Sequence, residues 1–226
     1  MVEIVDPIPL ELDAAELAAG VKPQKVSDEL VILLNRVGPL IEPKAAYTTT
    51  HVRGFRDERV YLQNGHEFRG IVLRDMLDPS QEVMPFVVTI GPKLEGEISG
   101  EKNLLRSFLL EKIGNYALHK ACGYLKSLAA EKFGNGRPIS QFSPGTGTGA
   151  LFGLEQQKPL FRILDPATAT IGVSLTSSLL MVPRKSESGV FAATRREYVA
   201  CAHCPKERCE SRSTPFVGEY TSVKQT

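Results

Sequence analysis

The sequence predicts an α+β fold: a mixed, largely antiparallel twisted sheet with flanking helices. Three observations carry that prediction. Asn64-Gly65 stands between the strand-like run Val60-Tyr61-Leu62 and Phe68, and this residue pair favours a tight hairpin turn. Glu82-Val-Met-Pro-Phe-Val-Val-Thr-Ile-Gly91 is a short apolar run suited to a buried strand that ends in a tight turn. From Asn103 to about Lys132 the apolar residues recur at helical spacing over the longest such stretch in the chain.

The remaining elements follow in order. Asp6-Pro7-Ile8-Pro9 is extended, and Leu12–Ala19 is a short helix candidate. Ser27 is placed to cap a helix carrying Leu30, Val31, Leu33 and Leu34, which stops near Gly38-Pro39. Tyr47-Thr-Thr-Thr-His-Val52 and Arg59–Leu62 read as strands. On the long helix, Leu105, Leu109, Ile113, Ala117, Ala121 and Leu128 share one side, with Lys112, Asn115, His119, Cys122 and Lys126 opposite. Gly134-Asn135-Gly136-Arg137-Pro138 ends it. A Pro-Gly loop follows over residues 141–149, then an amphipathic segment from Leu154 to Asp165. A strand from Ile171 runs into a Met181-x-Pro183 corner and a Ser186-x-Ser188-Gly189 turn, and a final strand is expected over Gly189–Ala200. The organisation read from this is an N-terminal extension over residues 1–25, an α+β domain over 26–200, and a Cys-rich segment and tail over 201–226.

At 226 residues with ordinary globular composition, the chain is long enough to bury a proper core. A net charge of +1 gives no overall field for nucleic acid or an anionic membrane. The charge is uneven, however. The first 42 residues hold eight acidic side chains against three basic ones, whereas Arg184, Lys185, Arg195, Arg196, Lys206, Arg208 and Arg212 make a later stretch positive. That stretch is either a solvated face or a docking surface for an acidic partner. No apolar run is long enough to cross a bilayer, and the acidic N-terminus lacks the layout of a signal peptide, so a cytoplasmic protein is expected. In that compartment the four cysteines are expected to be free of structural disulfides.

The functional signal concentrates in residues 141–189. Gln141-Phe-Ser-Pro-Gly-Thr-Gly-Thr-Gly149 presents backbone N–H groups with little side chain in the way, which suits close approach of a polar ligand. Its glycine spacing is neither a dinucleotide fingerprint nor a P-loop. Together with Gly172, Leu175-Thr176, Ser178, Met181, Pro183, Ser186 and Ser188-Gly189, the Pro144-Gly145 step resembles the C-terminal activation domain of vitamin B12-dependent methionine synthase. In that family an Arg, three residues, Gly, Tyr motif holds S-adenosylmethionine, which remethylates oxidised cobalamin after its reduction.

The resemblance implies a ligand site at Gln141, Ser143, Pro144, Gly145, Thr146 and Gly147, with Tyr198 near it. Its implied partner is the corrinoid-binding domain of a methyltransferase, which would carry the cobalamin, together with a flavodoxin- or ferredoxin-type electron donor. The family's arginine is Gln141 here and its tyrosine is Thr146, so the charge that would clamp a carboxylate is missing. Ser177 stands where the family commonly has Glu. The chain best resembles stand-alone versions of the domain that end in a Cys-rich segment. Reactivation of a corrinoid methyltransferase in trans is the function this implies. The alternative is a metal- or iron–sulfur-binding accessory protein that docks on a corrinoid protein without binding S-adenosylmethionine.

Cys201-Ala-His-Cys204-Pro-Lys-Glu-Arg-Cys209 places three thiols at a spacing that can converge on one ion or one cluster. The spacing favours a metal or cluster over three reduced surface thiols, and leaves zinc and iron–sulfur both open. His119 and Cys122, at i and i+3, could complete such a site if the long helix packs nearby. His51 and His66 have no acidic partner at a recognisable spacing and are read as ordinary polar positions. No hydrolase signature occurs.

Overall fold

The computed structural model describes residues 1–19, 21–147, 151–209 and 212–222. In chain order its elements are β1 (Glu3–Val5), α1 (Ala14–Ala18), α2 (Gln24–Val37), β2 (Lys44–Tyr47), β3 (Thr50–Arg56), β4 (Arg59–Leu62), β5 (Glu67–Arg69) and α3 (Ile71–Met76). They continue with β6 (Glu82–Thr89), α4 (Lys93–Gly100), α5 (Leu104–Ala129), β7 (Ile139–Phe142), α6 (Gln157–Leu164), α7 (Ala167–Thr170), β8 (Ser174–Leu175), β9 (Met181–Val182) and β10 (Ser186–Ala193).

Strand β6 organises the sheet. Along one side it pairs with β2 through Phe86–Thr89 and with β3 through Glu82 and Val83, while β10 occupies the other side and carries β7 beyond it. Every strand pairing among the described residues is antiparallel, which bears out the predicted α+β, largely antiparallel fold class. The strand expected over 47–52 is divided at Thr48-Thr49, where the Thr48 N–H donates to the Pro85 carbonyl at 3.1 Å. The sheet forks at that point, and the β3–β4–β5 meander leaves at the branch. Asn64-Gly65 makes the predicted turn between β4 and β5, with Gly65 at φ +84.

Both faces of β6 are covered, which is why it reads as a nearly continuous apolar run. Val83 and Val87 pack with Val190, Ala192, Leu160 and Leu164 on the α6 side. Met84, Phe86 and Val88 pack with Phe191, Ala121 and Leu125 on the α5 side, where the Phe86 and Phe191 rings stack at 4.3 Å. A third core joins α1, α2, α4 and the first half of α5. The N-terminal segment takes part, because β1 pairs with β2 and Ile8 and Leu17 are buried.

Several boundaries differ from the sequence reading for identifiable reasons. Helix α2 begins at Gln24 after Pro23, so Ser27 lies buried inside it and does not cap it. Helix α5 starts at the Asn103 cap, whose side chain accepts from the Arg106 N–H at 3.1 Å. It packs on α2, α4 and the sheet in turn, so its buried face also takes in Leu110, Gly114, Leu125 and Cys122. Leu105 remains exposed, before the point where packing begins. The final strand stops at Ala193 because the Thr194 hydroxyl turns to the Arg196 carbonyl at 2.9 Å. Ser186–Gly189, expected as a turn, lies within β10: Ser186 Oγ is satisfied by the Pro183 carbonyl at 2.7 Å, so the polar position is accommodated in a strand.

Candidate functional site

The predicted ligand loop leaves the end of β7 and is held from below by three neighbours. Gly189 of β10 passes so close that a Cβ there would stand 2.7 Å from the Phe142 carbonyl oxygen. Phe142 itself is buried against the Tyr198 ring, stacked at 5.3 Å. Pro144 is buried, and Gly145 and Gly147 follow at φ +78 and +69, a region that favours glycine. A Cβ on Gly145 would meet Leu154 at 3.1 Å.

The loop is more self-contained than its glycine content suggests. The Gly145 N–H donates to the Phe152 carbonyl at 2.8 Å and the Thr146 N–H to the Ser143 carbonyl at 3.3 Å. The Thr146 hydroxyl donates to the same Ser143 carbonyl at 2.7 Å. Two N–H groups read from sequence as open to a ligand are therefore engaged within the chain. Thr148 and Gly149, the end of the glycine series, lie outside the described residues.

Gln141 and Ser143 join a polar cluster under α5. The Gln141 side-chain amide donates to the Glu187 carboxylate of β10 and to Ser143 Oγ at 3.0 Å, and its carbonyl accepts weakly from the Cys122 thiol at 3.5 Å. Ser143 Oγ also donates to Glu187, at 3.3 Å. Burial pushes the Glu187 carboxyl above its ordinary range, and the hydrogen bonds from Ser143, Gln141 and Cys122 offset part of that rise. Burial also raises the Cys122 thiol well above its usual value, with the Glu187 charge adding to it, so this thiol is held neutral. Sequence reasoning missed Glu187 because Ser186–Gly189 reads as a turn, whereas it lies within β10. Chemically, the cluster presents a carboxylate where the resembled family presents an arginine, so it complements a cationic group and repels an anionic one.

Tyr198 lies beneath the loop. Its ring stacks on Phe142 and on His203 at 5.9 Å and meets Tyr220 edge-on at 6.1 Å, and its N–H donates to Ser140 Oγ at 2.7 Å. Burial raises its phenol to about 12. This aromatic stack ties the loop to the C-terminal segment, whose Ala200 lies 3.6 Å from the Cβ position of Gly147 and whose Cys204 thiol approaches the Gly147 carbonyl at 3.8 Å.

The structure does not support the metal or cluster expected at Cys201, Cys204 and Cys209. Among the described residues no group of three or more His, Cys, Asp or Glu side chains is arranged to hold a metal ion. The Cys201 and Cys204 thiols have separate neighbours. Hydrogen bonds from Ser213 lower the Cys201 thiol below its ordinary value, and Cys204 leans on Gly147. Arg212 donates to the backbone carbonyls of Cys201 and Cys204, each at 3.0 Å, and to that of Lys206, so it braces the segment through its backbone. Cys122 and His119 belong to the Gln141–Glu187 neighbourhood.

No helix among the described residues is long and apolar enough to cross a membrane. No family model and no curated protein matches the sequence. Among solved structures, the chain is similar to the crystal structure of the MetH reactivation domain bound to AdoHcy. The TM-score is 0.70 over 88% of this chain and 81% of that one, at 11% identity. At that identity the likeness establishes the architecture: the chain has the α+β, largely antiparallel fold of the MetH reactivation domain.

Proposed function

We propose that the protein reactivates a corrinoid-dependent methyltransferase in trans by presenting S-adenosylmethionine to a corrinoid held by a partner chain. The observation that carries this reading is the shared fold with a domain whose crystal structure holds AdoHcy, over 88% of this chain. The loop from Ser143 to Gly147 supports it, since two left-handed glycines let a ligand approach the backbone closely. S-adenosylmethionine would supply an electrophilic methyl group on a sulfonium. This chain would supply placement: Gly145 and Gly147 shape the loop, and Gln141 and Ser143, tied to Glu187, hold its root.

The accessory reading, docking on a corrinoid protein without binding S-adenosylmethionine, is favoured by one specific observation. Both donors of Gln141 and the N–H groups of Gly145 and Thr146 are already used within the chain. Calorimetry with millimolar S-adenosylmethionine separates the two. Saturable heat that Gly145→Val abolishes, with the variant still folded by thermal melting, supports presentation of the ligand. No heat from the unaltered protein, together with recovery of an oxidised corrinoid methyltransferase when protein and reductant are added, supports the accessory role.

A further inference from the structure

We propose that the groove between the β4–β5 hairpin and α6 is a docking surface for an acidic segment of a protein partner. The groove encloses about 400 Å³ and is lined by Arg59, Arg69, His66, Lys158 and Arg162, with Glu67 and Glu155 as the acids. Its wall has an unusual register. Arg59 lies directly opposite Arg69 on this wall, and Arg56, outside the groove on β3, lies directly opposite Arg59, so three arginines form one row across three strands. Val60 and Phe68, next along β4 and β5, are buried, which turns the arginine row outward. Like charges directly opposite one another destabilise a strand pair, and here only part of that repulsion is offset: Glu67 pairs with Arg59, and Glu58 with Arg69 at 3.0 Å.

The opposite wall adds to the positive charge. Lys158 and Arg162 sit four residues apart on α6 and are both exposed, so they share one face of the helix. Among the described residues neither forms an ion pair, and neither does Arg56. Lys158 and Arg162 are thus the groove's cations without an ion pair among the described residues, while Arg59 and Arg69 already hold Glu67 and Glu58. An extended run of carboxylates would neutralise the α6 wall and compete for the hairpin arginines, and a groove this open suits a chain segment that lies along it. The groove also adjoins the ligand loop: the Arg69 N–H donates to the Gln156 side chain at 2.8 Å, and Leu154 of the same turn packs against Gly145. A partner seated there is brought beside residues 143–147. The proposal rests on the reading above only for the identity of that partner as the corrinoid-bearing chain.

Fluorescence anisotropy with a labelled octaglutamate peptide tests this, at low salt and at about 0.15 M, where screening has shortened the reach of exposed charges. The expected result is saturable binding that weakens with salt and falls about tenfold or more in Lys158→Glu/Arg162→Glu. The milder Lys158→Gln/Arg162→Gln should show a smaller loss. Lys25→Glu/Lys102→Glu, at the helical end of the molecule and with the same change in net charge, should retain binding. The proposal is overturned if the peptide does not bind, or if the control pair weakens it equally. It is also overturned if inorganic phosphate displaces the peptide at micromolar concentration, which would mark a small-anion site, or if a single-stranded oligonucleotide of equal charge binds more tightly. Calorimetry with S-adenosylmethionine on the same groove variants keeps the two ideas apart. Unchanged heat with lost peptide binding concerns docking alone, and peptide binding without any heat leaves the groove standing while the ligand reading falls.

Discussion

The side-chain amide of Gln141 on β7 donates to the Glu187 carboxylate on β10, and this contact sets the charge at the root of the candidate loop. The two residues lie on adjacent strands, with Gln141 opposite Phe191, so Glu187 reaches the amide from a position nearer the loop. An arginine at 141 would meet that carboxylate before any ligand did.

Restoring the arginine alone is therefore expected to do little for ligand binding. Gln141→Arg should leave the affinity for S-adenosylmethionine close to that of the unaltered protein, because Glu187 neutralises the new charge. Gln141→Arg with Glu187→Gln should bind about tenfold or more tightly than Gln141→Arg alone, the scale of a freed charged hydrogen bond. Calorimetry on the three proteins decides it; equal affinity of the single and double variants would show that Glu187 does not govern position 141.

Glu187 also predicts a pH dependence of stability. Its carboxyl is raised by burial, so the folded chain holds that proton more tightly than the unfolded chain does. The resulting contribution to stability is full below the unfolded carboxylate value, about 4.3, and is lost as pH rises through the folded value. Glu187→Gln keeps a neutral group at all pH values. Its melting temperature relative to the unaltered protein should accordingly move in the variant's favour between pH 4 and pH 7.5. A difference that stays constant across that range would show that Glu187 ionises as freely in the folded chain as in the unfolded one.

Legibility from sequence followed the range of the interactions involved. The Asn64-Gly65 hairpin, the β6 run and the long helix α5 were readable because turn chemistry, apolar runs and helical apolar spacing act over short stretches of chain. The extent of β10 was not, because the polar atoms of Ser186 and Ser188 find partners in Thr89 and Gln157, far away in sequence. The site divides in the same way. Pro144-Gly145 was readable as a loop with little side chain over its backbone, while the engagement of its N–H groups by Phe152 and Ser143 depends on how the following segment packs. Glu187 became visible only once β7 and β10 were paired. The spacing of the three C-terminal cysteines suggested convergence, but spacing does not reveal that Ser213, Gly147 and Arg212 engage the segment separately.

The cysteines should differ sharply in reactivity. Hydrogen bonds from Ser213 lower the Cys201 thiol and Arg212 adds positive charge, whereas burial and Glu187 hold Cys122 neutral. The thiolate is the reacting form, so a short pulse of iodoacetamide at pH 7 should label Cys201 well before Cys122. Arg212→Ala should slow Cys201 labelling without changing Cys122. Mass spectrometry of the digested protein reads both, and equal labelling of the two thiols would contradict the assigned environments.

Gly189 and Gly123 should respond in opposite directions to the same substitution. A Cβ on Gly189 would stand 2.7 Å from the Phe142 carbonyl oxygen, 3.0 Å from Ser143 Oγ and 3.1 Å from the Phe86 ring. The nearest of these is backbone in a paired strand, and the phenylalanine is stacked on Phe191, so neither yields cheaply. Gly189→Ala is expected to cost about 1–3 kcal/mol, as overpacking in a well-filled core does. That corresponds to a melting temperature lower by roughly 2–12 °C for a chain of this size. Gly123, in the middle of α5, has nothing within 4 Å of its Cβ position, and alanine there removes only the entropic penalty of glycine in a helix. Gly123→Ala should therefore stabilise by about 0.5–1 kcal/mol. Because the clash at Gly189 falls on Phe142 and Ser143, its alanine variant should also weaken S-adenosylmethionine heat at temperatures where the protein remains folded. Gly123→Ala should leave that heat unchanged. Loss of stability at Gly189 without any effect on the loop would confine the role of this close approach to packing.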